Sequence, residues 1–363
     1  MLVRLLWGLM AVMWSIAPAH AADLALDIDP NAAIAVLDAL ETPTLSLERA
    51  RTIAKLPGNQ GLIRKARSYG RAADDESFAL ALLAAARGDS NVPDPSRFDF
   101  RRVRPHVKQL RVVIAALQDP ATGRIEAAKR RIAEYTPMGL TGRITGYFVV
   151  GGTSGGFAFG EPSFFLNIDY FPDAALATTI LEHELYHAVQ NTARNAQKQA
   201  ATATSQCLTR IAMPTHMDDL FDSLVAEGTA SAVGDVLALP KTADGVVGEE
   251  RRKVSRNVGM VDRSVTLLEL SAHAVATGAI DFGKIYELGF YGDEILYALG
   301  YVIAKAIERE QCPAAIADLT RHGSGAVFID RYRQLKAYGS NDDTPALGPK
   351  TLDWARRMAA CTR

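Results

Sequence analysis

Between Pro172 and Val189 the chain is apolar over most positions, with Leu176, Ala177, Ile180, Leu181, Leu185, Ala188 and Val189 separated by helical intervals. That spacing predicts a helix that starts at Asp173 as N-cap and buries much of its circumference. Upstream, from Asp23 to about Leu140, the rhythm is also helical. Helices are predicted over Asn31–Leu40, stopped by Pro43, and over Ser46–Leu56, ended by Pro57-Gly58. A third spans Phe78–Arg87 and closes at Gly88-Asp89. Beyond the Pro93-Asp94-Pro95 break, Arg101–Leu117 and Gly123–Tyr135 are two more. At Thr141 the period changes to two. Arg143–Val150 and Ser163–Asp169 are predicted strands, joined by the glycine-rich 151–160 as a tight hairpin that leads straight into the helix at 173.

Downstream, the polar Asn191–Gln206 is expected to extend that helix outward and then form a surface loop. Leu220–Ala232, Asp262–Thr277, Gly292–Glu310 and Thr351–Ala360 are predicted helices, with His322–Gly325 a turn. The fold class is therefore α+β, predominantly helical, with a small sheet or hairpin ahead of the central helix. The organisation expected is a helical N-terminal region over 23–140 and a second region over 141–363, either separate or one continuous domain.

Residues 1–22 stand apart. Arg4, the apolar run Leu5–Ile16 and Ala19-His20-Ala21 have the layout of a signal peptide cleaved at about residue 21, and the run is too short to span a bilayer comfortably. The expectation is an exported chain, periplasmic or secreted, without stable membrane insertion after cleavage. Lys plus Arg (40) nearly balances Asp plus Glu (41), so nothing in the charge argues for a nucleic-acid or anionic-membrane partner. The basic group Arg101, Arg102, Arg104, Lys108 and Arg111 lacks interleaved aromatics and is read as a solvated helix face. Three cysteines in an oxidising compartment imply one disulfide and one thiol. Cys312 with Cys361 is the favoured pair, although spacing does not choose among the three pairings.

The chemistry concentrates at His183-Glu184-Leu185-Tyr186-His187. On a helix, positions i and i+4 share a face, so His183 and His187 can hold one ion, and Glu184 points into the same region. Two imidazoles and a carboxylate in an apolar helix need partners, and a zinc ion supplies them. Catalytic zinc takes three protein ligands. The best third is Glu227, on an apolar helical face beside Gly228, Ala230 and Ser231; Asp222 and Asp235 compete. His106, His216 and His273 have no spacing that ties them to the site. The Gly151–Gly160 segment resembles neither a serine-nucleophile loop with its partners nor a phosphate cradle.

His183-Glu184-x-x-His187 followed by Glu227-Gly228-x-Ala230 resembles the gluzincin metallopeptidases. Together with Tyr297-Ala298-Leu299-Gly300 the order is similar to that of exported bacterial zinc-dependent peptidases of uncharacterised function, over about Asp27 to Tyr332. The resemblance implies a zincin-like catalytic unit holding Zn2+ through His183, His187 and Glu227. It also implies Glu184 as general base, and a peptide or protein as substrate. A tyrosine at the Tyr297 position would donate to the oxyanion, with Tyr291 and Tyr301 as rivals. The same residues could serve a non-peptide amide or ester, or survive in a metal-retaining binding protein; the intact Glu184 argues against the last. Two departures stand out. His187 and Glu227 are 40 positions apart, and Ser231 occupies the place where compact members carry an acid that orients a histidine. Asp169 is a candidate for that orienting role.

Overall fold

The computed structural model describes residues 23–197 and 201–362; the expected signal peptide lies outside the described residues. The chain opens with strand β1 (Asp23–Asp29), then α1 (Asn31–Leu40), α2 (Leu47–Ala54), α3 (Pro57–Ser68) and α4 (Asp75–Arg87). Next come α5 (Phe100–Val103), α6 (Val107–Gln118) and α7 (Arg124–Glu134), followed by β2 (Thr141–Val149), β3 (Gly156–Phe157) and β4 (Ser163–Asn167). The central helix is α8 (Ala174–Ala196). It precedes α9 (Ala201–Arg210), α10 (Met217–Val233), α11 (Gly245–Val258), α12 (Val261–Thr277) and α13 (Phe282–Phe290). The chain ends with α14 (Ile295–Gln311), α15 (Pro313–His322), α16 (Gly325–Arg333) and α17 (Pro349–Ala359). The class is α+β and predominantly helical, with one small mixed sheet.

Five expectations need correction. Residues 23–29 are a strand: Leu24, Leu26 and Ile28 alternate with Asp23, Ala25, Asp27 and Asp29, and β1 pairs in parallel with β2 from Asp23↔Thr141 to Asp29↔Tyr147. Pro57 does not merely stop a helix. It occupies the first turn of α3, where its missing N–H is not needed. Arg101–Leu117 is broken by a 3-10 turn at Arg104–His106, around Pro105. The stretch after α8 is helical again, as α9. Finally, β2 and β4 do not form a hairpin. They lie side by side in parallel, and residues 150–162 make the crossover that such a pairing requires, with β3 folded back antiparallel on β4.

The sheet order is β1-β2-β4-β3, so β3 is an edge. Helices α1 and α3 pack on β2, and α8 packs on β4 and β2. Ala177, Leu181, Leu185, Tyr186 and Ala188 bury α8 in a hydrophobic cluster that also includes side chains of α1, β4 and α14. Each fully buried leucine of this kind contributes about 1.5–3 kcal/mol. Helix α10 lies against α8, α14 and α16. Cys207 on α9 is disulfide-bonded to Cys361, with Cα atoms 5.4 Å apart, and Cys312 is an exposed thiol. The favoured Cys312–Cys361 pair fails because α17 returns toward α9, where Arg357 donates to the Ile211 carbonyl at 2.7 Å. Among the described residues no helix is long and apolar enough to cross a membrane.

Candidate metal centre

Asp173 caps α8, its Oδ1 accepting from the N–H groups of Ala175 (2.8 Å) and Leu176 (3.0 Å). The helix then runs unbroken through the two histidines and brings their Nε2 atoms within 3.1 Å of each other. Glu227 on α10 completes a triangle, its Oε2 lying 3.1 Å from His187 Nε2 and 3.5 Å from His183 Nε2. Tetrahedral zinc with bonds of about 2.0–2.1 Å sets neighbouring ligand atoms roughly 3.3 Å apart. The three donors fit that spacing and offer the nitrogen and carboxylate oxygen that zinc accepts. Among the described residues they form the one group of three or more His, Cys, Asp or Glu able to share an ion.

The electrostatics point the same way. Burial would push the Glu227 carboxyl up, yet His187 and His183 hold it well below the usual carboxylate range. Burial would push the His187 imidazole down, yet the Glu227 and Glu184 carboxylates bring it up to about 9. Without a cation, the half-buried Glu227 carboxylate thus draws a proton onto His187; a metal ion takes that proton's place when it binds.

Helices α10 and α14 meet where Gly228 and Gly300 touch. A Cβ on Gly300 would stand 2.5 Å from the Leu224 carbonyl oxygen and 2.7 Å from the Gly228 Cα. The Glu-Gly and Tyr-x-x-Gly motifs are two sides of this crossing, which sets Glu227 and Tyr297 together. The Tyr297 ring lies parallel to His183, centroids 6.4 Å apart, and its hydroxyl stands in the field of the Glu227 carboxylate. Burial, reinforced by the Glu227 charge, keeps that phenol protonated well above its ordinary range.

Residues 51–338 match the family described as "Putative zinc dependent peptidase". The chain belongs to this family. No curated protein and no solved structure matches it. The matched span contains His183, Glu184, His187, Glu227 and Tyr297, so the family's metal and the donor set on α8 and α10 agree on zinc.

The competing residues are engaged elsewhere. Asp222 accepts from the Gly325 N–H at 2.8 Å, and Asp235 from the Tyr301 hydroxyl at 3.1 Å. Tyr291 bonds Tyr69. His216 stacks on Phe282 and pairs with Asp219, while His106 and His273 are exposed. Asp169 does not orient a histidine; it pairs with Arg102 at 2.7 Å. That role falls to Gln190, whose Oε1 lies 2.9 Å from His187 Nδ1. Sequence reading passed over Gln190, although its position three residues after His187 on the same helix was a usable signal. It also passed over Tyr286, half-buried in the cleft wall and pushed up to about 12 by desolvation and the Glu227 charge.

The centre opens on a cleft of about 670 Å³, lined by α3, the 153–160 loop, α8, α10, α11 and the α13–α14 region. Glu184 forms part of its wall and is almost fully buried. Gly156 on β3 abuts it so closely that any Cβ there would collide with the carboxylate. The glycine at this edge is therefore needed for the close approach rather than for a turn.

Proposed function

We propose that this chain is an exported zinc peptidase that hydrolyses peptide bonds in peptide or protein substrates. The observation that carries the reading is the near-tetrahedral spacing of His183, His187 and Glu227, with Glu184 in the wall of the same cleft. When bound there, zinc lowers the pKa of a water molecule and polarises the scissile carbonyl. Glu184 takes a proton from the attacking water on its carboxylate and delivers it to the leaving amine nitrogen. Burial pushes the Glu184 carboxyl up while His183 and His187 oppose it, which suits a group that must hold a proton between two transfers. Tyr297, which keeps its phenolic proton, donates to the oxyanion that develops on the former carbonyl oxygen. The edge strand β3 offers backbone groups to an extended peptide laid beside Glu184.

Export is supported by the layout of residues 1–22 and by the Cys207–Cys361 disulfide, which persists in oxidising compartments. The near-neutral charge gives no support to a nucleic-acid partner.

Glu184→Gln is the direct test of the mechanism. The variant should retain zinc and its melting temperature while hydrolysis of a peptide library falls by about 10²–10⁴-fold. Wild-type rates in that variant would remove Glu184 from the role of base.

A further inference from the structure

Lys65 and Tyr69, four residues apart at the C-terminal end of α3, both line the cleft. The Lys65 ammonium lies 5.1 Å from the Tyr69 ring centroid and 5.6 Å from that of Phe157. Phe157 follows Gly156, the residue that abuts Glu184, and the Lys65 charge is felt at the Glu184 carboxyl. Lys253 pairs with Glu250 at 2.8 Å and Glu294 at 3.0 Å, and Arg194 stands in the field of Asp222. Lys65 forms no ion pair among the described residues. A cation held against two rings and without an ion-pair partner, next to the reacting groups, is complementary to an anion brought by the substrate.

The cleft also has an end here. The Tyr291 hydroxyl donates to the Tyr69 oxygen at 2.7 Å, so the α3 wall and the segment following α13 touch beside Lys65. Walls in hydrogen-bond contact leave no room for a polypeptide to pass between them.

Resting on the peptidase reading above, we propose that Lys65 is a specificity residue that binds a carboxylate of the substrate close to the scissile bond. The closed end favours the C-terminal carboxylate, because a chain terminus needs no space beyond it. An acidic side chain carries the same chemistry, and the two sources are separable. A charge-assisted contact shielded by aromatic rings is stronger than an exposed pair.

The test uses the zinc-loaded full chain and matched peptides that differ only in a free or amidated C-terminus, or in Glu against Gln next to the cleaved bond. The expected result is a kcat/KM about tenfold or more higher for the free acid. In Lys65→Met this preference should disappear, the rates on acid and amide becoming equal, while Lys65→Arg should keep it. A preference for Glu over Gln that is lost in Lys65→Met and does not depend on the terminus assigns the carboxylate to a side chain instead. Equal rates on all wild-type pairs, or a preference that survives Lys65→Met, overturns the role of Lys65 and leaves the peptidase reading standing. No hydrolysis of any peptide by the zinc-loaded wild type overturns that reading, and this one with it.

Discussion

His187 can present either ring nitrogen to an ion, and the choice follows from the amide of Gln190. Its Nε2 donates to the Ala226 carbonyl (3.0 Å) and to Thr229 Oγ1 (2.8 Å), and Thr229 in turn donates to the Val225 carbonyl. Both amide hydrogens are thereby used on acceptors, so Oε1 faces His187 Nδ1 and must receive its proton. Nε2 is then the nitrogen left to bind the ion, turned toward Glu227 and His183. Replacing Gln190 by Leu should weaken zinc by about 10–100-fold in a chelator competition titration. Unchanged affinity would mean that the imidazole is oriented by something else. At this scale the sequence was most informative where the chemistry is local. His183, Glu184 and His187 could be placed on one helix from spacing alone. Gln190 sits on that helix too, but its anchors Ala226 and Thr229 lie on α10, and no local pattern announces a contact across 36 or 39 positions. Asp169 was misjudged because its counter-charge, Arg102, lies still further away in the chain.

Between elements, the decisive contact is the crossing of α10 and α14 at Gly228 and Gly300. In an isolated helix, Gly to Ala stabilises by about 1 kcal/mol. At Gly300 the added methyl would press on the Leu224 carbonyl and the Gly228 backbone, and overpacking of that kind typically destabilises by about 1–3 kcal/mol. The sign therefore discriminates. Gly300→Ala should lower the denaturation midpoint and weaken zinc, since Glu227 moves back with its helix. A neutral or stabilising substitution would show that the helices are not in backbone contact. The long helices α8, α12 and α14 were legible because their apolar positions repeat over several turns. The errors arose where a local signal needed a distant partner. The alternation of Leu24, Leu26 and Ile28 has the strand period, yet its neighbour β2 begins at Thr141. Likewise, the glycines after β2 imply a turn without saying whether the chain doubles back or crosses over to a parallel neighbour.

Across the whole molecule, the cleft gathers segments from the first, middle and last thirds of the chain: Lys65 and Tyr69, the α8 donors, and Tyr286 to Tyr297. Periodicity reports which face of an element is buried and not which element covers it, so the metal ligands were legible while most of the cleft wall was not. The disulfide shows the same limit, joining cysteines 154 positions apart although Cys312 lies much nearer Cys361 in the chain. Zinc binding here depends on Glu227 closing the site begun by His183 and His187. Its most direct test is the zinc content of the purified full chain, read with the zinc-dependent rise in melting temperature. One zinc ion per wild-type chain is expected, with both signals lost in Glu227→Ala and both retained in Asp235→Ala. A wild-type chain that neither holds nor takes up zinc, or a Glu227→Ala variant that keeps it while Asp235→Ala does not, would contradict the assignment.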